Sequence, residues 1–456
     1  MSVRFGLVLT AALLVGGTAR AGDTPPATIK TPPPNASPSW TGLYLGMGIG
    51  GGTGTTQTNT SFAGGATTSG TSGSQGFLGS IYGGLDYQFA PRGVAGLMVD
   101  GTWSSIESTA TAAFGAANAT ATTRSDLSWS VLARLGFLSS PSTLWYALGG
   151  YTGQNRHTTG TATIGGTTNS FSRNDTVNGW TLGPGVETML AGGWSARFEY
   201  RFTQFGGKTL IPGSLDIVPS LHTIRAGLSY KFGGPALGAA PMESFAEPPA
   251  PRWTGAYLGA AAGVGVAATR ASAAAGGASA TMYGIGGVSA LGSVFGGFDY
   301  QIDPRWVVGL MADGTWSGAN ATTSATIGGA NATTSLRGDG SWSVLGRAGW
   351  LSTQSTLWYV LGGYTGQTFH STVTATAGGA FASASSDNTL AGWTVGPGVE
   401  SVISGPWSTR LEYRFTQFGE MSSLGGAANL RPATHTARIG LSYKFGVGAS
   451  SSVTSD

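Results

Sequence analysis

The chain has 456 residues, with 78 glycines, no cysteine, 10% aromatic and only 9% charged residues, and a formal net charge of +3. So little charge beside so many aromatics excludes a disordered chain, which needs the reverse, and the missing cysteine excludes disulfides and thiol-linked lipid. No dense basic run offers nucleic acid a partner.

Beyond the N-terminus, no apolar run reaches the roughly 18 residues of a membrane helix. Gly, Thr and aromatic residues in short alternating stretches fit an all-β protein instead.

Residues 1–21 read as a signal peptide. Arg4 gives the positive start, Phe5 to Gly17 the apolar core and Ala19-Arg20-Ala21 the cleavage signal. A membrane anchor would need a longer core. Without Arg4 and Arg20, the excess of Lys and Arg over acids falls to one. A Pro-rich leader follows over 22–39.

From Trp40 the chain alternates. Eight segments are expected as strands, at 41–50, 76–89, 94–104, 126–138, 143–152, 179–190, 194–205 and 222–232. A tilted strand crosses a bilayer in about 9–11 residues. The links "APRG", "SSPS" and "AGG" are tight, whereas 51–75, 105–125, 153–178 and 206–221 read as long loops. Short turns on one side and long loops on the other mark a transmembrane β-barrel.

The segment "RAGLSYKF" (Arg225 to Phe232) ends this unit, and "RIGLSYKF" (Arg438 to Phe445) ends a second. Every landmark recurs 213 residues on: "WTGLYLG" at Trp40 as "WTGAYLG" at Trp253, "TLWYALGGYTGQ" at Thr143 as "TLWYVLGGYTGQ" at Thr356, and "EYRFTQFG" at Glu199 and Glu412. The unit is duplicated in tandem. The expected domains are barrels at 40–233 and 253–446, a Pro/Ala-rich linker at 234–252 and a flexible tail at 447–456. Two eight-stranded antiparallel barrels are the first reading, and one sixteen-stranded barrel is the alternative.

Side-chain parity separates two faces. In "WSARFEYRF", Trp194, Ala196, Phe198, Tyr200 and Phe202 share one face, and Ser195, Arg197, Glu199 and Arg201 the other. In a membrane barrel the aromatic face meets lipid and the charged face lines the lumen. By parity the first lumen receives Asp86, Asp100, Asp126, Arg134, Glu187, Arg197, Glu199, Arg201, Arg225 and Lys231. All recur in the second unit, as Asp299, Asp313, Asp339, Arg347, Glu400, Arg410, Glu412, Arg414, Arg438 and Lys444. Five cations balance five anions, as buried charges require. Bulky Tyr82, Met98 and Leu132 also point inward.

Six matched Trp pairs, beginning at Trp40, Trp103, Trp129, Trp145, Trp180 and Trp194, suit interfacial girdles.

These motifs resemble the small outer-membrane β-barrel surface proteins of alphaproteobacteria, related in fold to the OmpA membrane domain and the neisserial opacity proteins. The motifs that carry the resemblance are "WTGLYLG", "GGLDYQF", "TLWYALGGY", "GWTLGPGVE", "WSARFEYRF" and "HTIRAGLSYKF". The resemblance implies an eight-stranded barrel in the cell outer membrane, inserted by the barrel-assembly machinery, in contact with outer-membrane lipid and lipopolysaccharide. It also implies an insertion signal at Arg225, Gly227, Tyr230 and Phe232, and again at Arg438, Gly440, Tyr443 and Phe445. The chain departs from the family in its doubling and in the tail "GVGASSSVTSD" after the second signal.

Eight strands leave an interior just filled by side chains. That points to a structural anchor that displays loops. A diffusion porin is the alternative if sixteen strands close together, and some similar proteins bind haem or host molecules. No enzyme is expected. His222 lies near Ser220 and Asp216, but the second unit has Ala433 and Asn429 opposite that pair. No cofactor is expected, and no cluster has metal-ligand spacing. "GMGIGG" at Gly46 precedes no helix pattern, so it does not read as a dinucleotide loop.

Overall fold

The computed structural model describes residues 39–61, 67–211, 215–232, 253–275, 278–327, 330–423 and 428–445. The expected signal peptide (1–21), the leader up to residue 38, the linker (234–252) and the tail (447–456) lie outside the described residues.

The first unit contributes β1 (Gly42–Ser61), β2 (Thr67–Ala90), β3 (Gly93–Phe114), β4 (Ala117–Ser140), β5 (Thr143–Ile164), β6 (Thr167–Met189), β7 (Trp194–Phe205), the short β8 (Lys208–Ile211) and β9 (Leu215–Phe232). The second contributes β10 (Gly255–Ala275), β11 (Ala278–Gln301), β12 (Trp306–Ile327), β13 (Ala330–Thr353), β14 (Thr356–Ala377), β15 (Ala380–Ser404) and β16 (Trp407–Phe418). It ends with the short β17 (Met421–Ser423) and β18 (Ala428–Arg431), then β19 (Ala433–Lys444).

Each unit closes on itself. β1 pairs with β2 on one side and with β9 on the other, the latter from Leu43–Phe232 to Thr60–Leu215. β10 likewise closes on β19, from Tyr257–Lys444 to Ala267–Thr434. The fold is therefore two eight-stranded antiparallel barrels, in which the short strands extend the rings: β8 pairs with β9 beyond β7, β18 pairs with β10 beyond β19, and β17 pairs with β18. Closure satisfies every backbone group without an edge.

All four expected loops are mostly strand, the fourth (206–221) through β8 and through residues 215–221 of β9, which pair with β1. The stretches 51–75, 105–125 and 153–178 continue the ladders, and β5 pairs with β6 without a register break from Thr143–Thr188 to Ile164–Thr167. The tip there is Gly165-Gly166, both at positive φ (58° and 81°), a conformation glycine adopts freely at a two-residue hairpin turn. Repeated Thr favours the extended backbone, and hydroxyls pair across strands, as Thr123 with Thr158 at 3.2 Å. Since a crossing takes about 9–11 residues, about half of each 22- to 24-residue strand rises beyond the bilayer.

The barrels meet along a seam that includes the matched positions Thr143 and Thr356. Thr143 Oγ1 and Thr356 Oγ1 lie 2.9 Å apart, and Ser139 Oγ and Ser401 Oγ also 2.9 Å apart. Val186, Phe198 and Ile224 pack with Val399 and Leu411, flanked by Trp145, Trp358 and Tyr413. Higher up, residues 110–114 of β3 pair with 278–282 of β11, and 67–69 of β2 pair with 324–326 of β12. Because barrel strands tilt, one vertical contact line crosses β5, β6, β7 and β9 in turn before reaching the β2–β3 extensions.

The seam corrects one expectation. Phe198 and Tyr200 point outward as alternation requires, yet are only 2% and 9% exposed. The second barrel covers them instead of lipid.

The seam can be tested because the chain has no cysteine. Thr143→Cys with Thr356→Cys should oxidise to a disulfide that holds the two halves together after cleavage within 233–252. Separation of the cut halves without reductant would contradict this seam.

Candidate functional site: the charged lumen

The inward residues of the first barrel form one connected ladder. At the mouth beside the short turns, Lys231 Nζ donates to Asp86 Oδ2 at 2.7 Å. Arg134 binds the Asp86 carboxylate through two nitrogens and donates to Glu187 Oε2 at 2.7 Å. Glu187 also accepts from Ser195 Oγ at 2.6 Å and Arg197 Nη2 at 3.1 Å. Above it, Glu199 accepts from the Tyr146 hydroxyl at 2.5 Å and Arg201 Nη2 at 2.7 Å. Arg201 reaches Asp100 at 2.6 Å, and Arg225 ends the ladder on Thr102 at 2.9 Å and Asp100 at 3.4 Å.

Aromatic rings wall this ladder. The Arg134 guanidinium stacks on Tyr44 and Tyr146 at 4.7 and 5.0 Å, and Arg197 stacks on Tyr82 at 4.2 Å. Tyr82, Met98 and Leu132 fill the remaining interior and are buried.

The second lumen repeats the pattern. Arg347 joins Asp299 to Glu400, the latter at 2.8 Å. Arg410 reaches Glu400 at 3.2 Å, the Tyr359 hydroxyl donates to Glu412 at 2.9 Å, and Lys444 donates to Asp299 at 2.7 Å. Arg414 links Glu412, at 2.5 Å, to Asp313.

Two expected lumen charges are elsewhere. A β-bulge between Ser125 and Ser128 interrupts the β4–β5 register. Asp126 there turns to the rim, half-exposed, and pairs with Arg124 at 2.8 Å. Asp339 does the same beside the bulge between Gly338 and Ser341, pairing with Arg337. Among the described residues, the ladder of each barrel therefore holds five cations and four carboxylates.

The residues of the proposed insertion signal divide between the faces. Tyr230, Phe232, Tyr443 and Phe445 lie on the outer surface, 37–51% exposed. Gly227 faces inward, where a Cβ would come within 2.5 Å of the Tyr82 hydroxyl. That hydroxyl lies 3.1 Å from both Leu228 O and Ser229 Oγ. A Cβ at Gly440 would approach Ala261 at 3.0 Å and the Arg410 side chain at 3.2 Å. Phe295 replaces Tyr82 in the second barrel, and Ser442 Oγ is left buried without a partner.

The girdle reading suits Trp103, Trp129, Trp180 and Trp194, which are exposed on the outer surface. It fails for Trp40 and Trp253, which are buried at the mouths beside the short turns. Trp40 Nε1 donates to Pro141 O at 3.0 Å, and Lys231 stacks on its ring at 4.7 Å. It fails also for Trp145 and Trp358, which pack into the seam.

Sequence reasoning missed Tyr44, Tyr146, Ser195 and Trp40 as partners of the charges. The signal was available, since each keeps its type at Tyr257, Tyr359, Ser408 and Trp253.

The histidines form no triad. His222 Nδ1 lies 2.6 Å from the Tyr200 hydroxyl, Ser220 bonds Thr55 at 2.7 Å, and Asp216 accepts from Thr209 at 2.6 Å. His435 repeats the pairing with Tyr413 at 2.6 Å. Among the described residues, no group of three or more His, Cys, Asp or Glu could hold a metal. Chemically, the lumen is a paired plug.

Comparison with known proteins places the chain. The family model for the outer membrane protein beta-barrel domain matches residues 9–232 and again 235–445. The 31 kDa outer-membrane immunogenic protein of Brucella melitensis is 28% identical over 212 residues, covering 44% of this chain and 88% of that protein. The 25 kDa outer-membrane immunogenic protein of Brucella abortus is 41% identical over 56 residues, 12% of this chain and 26% of that protein. Among solved structures, Ail of Yersinia pestis covers 41% of this chain and 99% of its own, at 11% identity and a TM-score of 0.20.

Three predictions follow from the geometry. Glu187→Ala leaves Arg134 and Arg197 short of a buried partner and should cost about 3–5 kcal/mol, read as a lower temperature for loss of the compact gel band. Asp126→Asn at the exposed rim should cost less than about 1 kcal/mol by the same measure. Phe295→Tyr should give Ser442 a partner and add about 1 kcal/mol.

A further prediction concerns the outer hairpin of β14 and β15. His370 Nδ1 lies 2.5 Å from Asp387 and its Nε2 2.8 Å from Asp339. The hydrogen bond to Asp387, with the charge of both carboxylates, raises its pKa above the ordinary 6.5. This support is complete below about pH 6.5 and is lost as pH rises through the raised value. In the first barrel, His157 faces the neutral Asn174 at 2.5 Å. Amide exchange in β14–β15 should therefore accelerate with pH more than in β5–β6; equal acceleration would refute the ion pair.

Proposed function

We propose, from the premise that this chain belongs to the outer membrane protein beta-barrel domain family in two copies, that it is a structural protein of the outer membrane. It anchors in the bilayer through two filled barrels and presents their long hairpins at the cell surface. One observation carries this reading: both lumens are occupied by buried ion pairs, with Asp86, Glu187, Asp299 and Glu400 at 0% exposure. A solute would have to break several such pairs at once, and each is costly to break.

The relatives named as immunogenic outer-membrane proteins agree with a surface role. Outer-membrane lipid meets the exposed band of Leu43, Leu45, Met47 and Ile49 and its counterparts around the wall. Lipopolysaccharide at the outer rim and the barrel-assembly machinery during insertion complete the expected partners.

Planar-bilayer recording of the purified protein tests this. No large stable conductance steps are expected. Large steps would make the protein a porin and remove the filled-barrel reading.

A further inference from the structure

The charge count in the second lumen leaves one cation over, and it falls on Arg438. Its Nη1 donates to Thr315 Oγ1 at 2.9 Å, while the ion pair with Asp313 is stretched to 3.8 Å. Arg414 already engages that carboxylate. Arg438 is 7% exposed. A buried charge so weakly matched calls for a counter-charge.

Toward the outer mouth, Arg438 and Arg414 face a cavity of about 30 Å³. That is space for about two waters. Its remaining wall carries Gln367 and nine serines and threonines, and no carboxylate. One of these, Ser289, has a buried hydroxyl with no partner.

The first barrel fills the corresponding region differently. Buried Ile106 packs against Gly52, and Arg225 sits 3.4 Å from Asp100. The second barrel has Gly265 opposite Gly52, lining the cavity, and carries Ala319 where the first has Ile106.

We infer that this cavity binds one small monovalent inorganic anion, of chloride's size and charge, held by Arg438, Arg414 and hydroxyl donors. Guanidinium and hydroxyl donors without a carboxylate suit an anion and repel a cation. One negative charge matches the single excess positive charge. The volume is too small for an organic acid of several carbons. The site goes beyond the structural role proposed above and does not depend on whether the barrels conduct.

Chlorine nuclear magnetic resonance on the refolded full chain tests it. Saturable line broadening by chloride is expected, at constant ionic strength set with gluconate, and it should vanish on heat unfolding. Arg438→Gln should abolish it. Ala319→Ile, which copies the residue the first barrel carries, should abolish it too and keep the compact gel band. Arg225→Gln should leave it in place. Broadening no greater than that of the unfolded chain would mean that water alone fills the cavity and would overturn the site. Broadening that survives Arg438→Gln or Ala319→Ile in a folded chain would overturn it as well.

Discussion

Hydrocarbon accepts no hydrogen bonds, and the rest of the structure follows from that constraint. A spanning sheet must close, because an open edge would strand its amides in lipid. Closure with alternating side chains leaves every second residue facing lipid and every other one facing the interior. Charged residues can then sit only inside, or above the membrane. Inside an eight-stranded ring they meet no bulk water, so they must satisfy one another. Arg134, bound to both Asp86 and Glu187 and stacked between Tyr44 and Tyr146, shows how completely that demand is met.

The duplication supplies an internal comparison. Inside the ladder the same pairings recur in both copies: Tyr146 on Glu199 and Tyr359 on Glu412, Ser195 on Glu187 and Ser408 on Glu400. Where one copy changes, the structure registers it locally. Loss of the Tyr82 hydroxyl at Phe295 leaves Ser442 without a partner. The ladder is conserved between copies as a unit, while single contacts at its edge drift.

Much of this was legible in the sequence, because a strand's period of two assigns faces without knowledge of neighbours. Asp86, Arg134, Glu187 and Arg197 could be placed inside on parity alone. Asp126 and Asp339 could not, because a bulge breaks parity and leaves no clear mark in composition. The strand extensions were hidden by Thr- and Gly-rich stretches, which suit loops and extended hairpins alike. The seam was hidden more deeply. Alternation says that Phe198, Tyr200 and His222 point outward; it does not say whether lipid or another barrel lies there.

The seam has an evolutionary consequence. Between two separate copies of one barrel, every contact patch would have to complement itself, and each substitution would act twice. Within a single gene the two faces are free to specialise. They have begun to: Phe198 is matched by Leu411, and Ile224 by Ala437. The tether also fixes a one-to-one stoichiometry and keeps the second barrel at a high local concentration however dilute the protein is in the membrane. Selection can then act on a barrel pair as one heritable object, with a left and a right side that no homodimer could maintain.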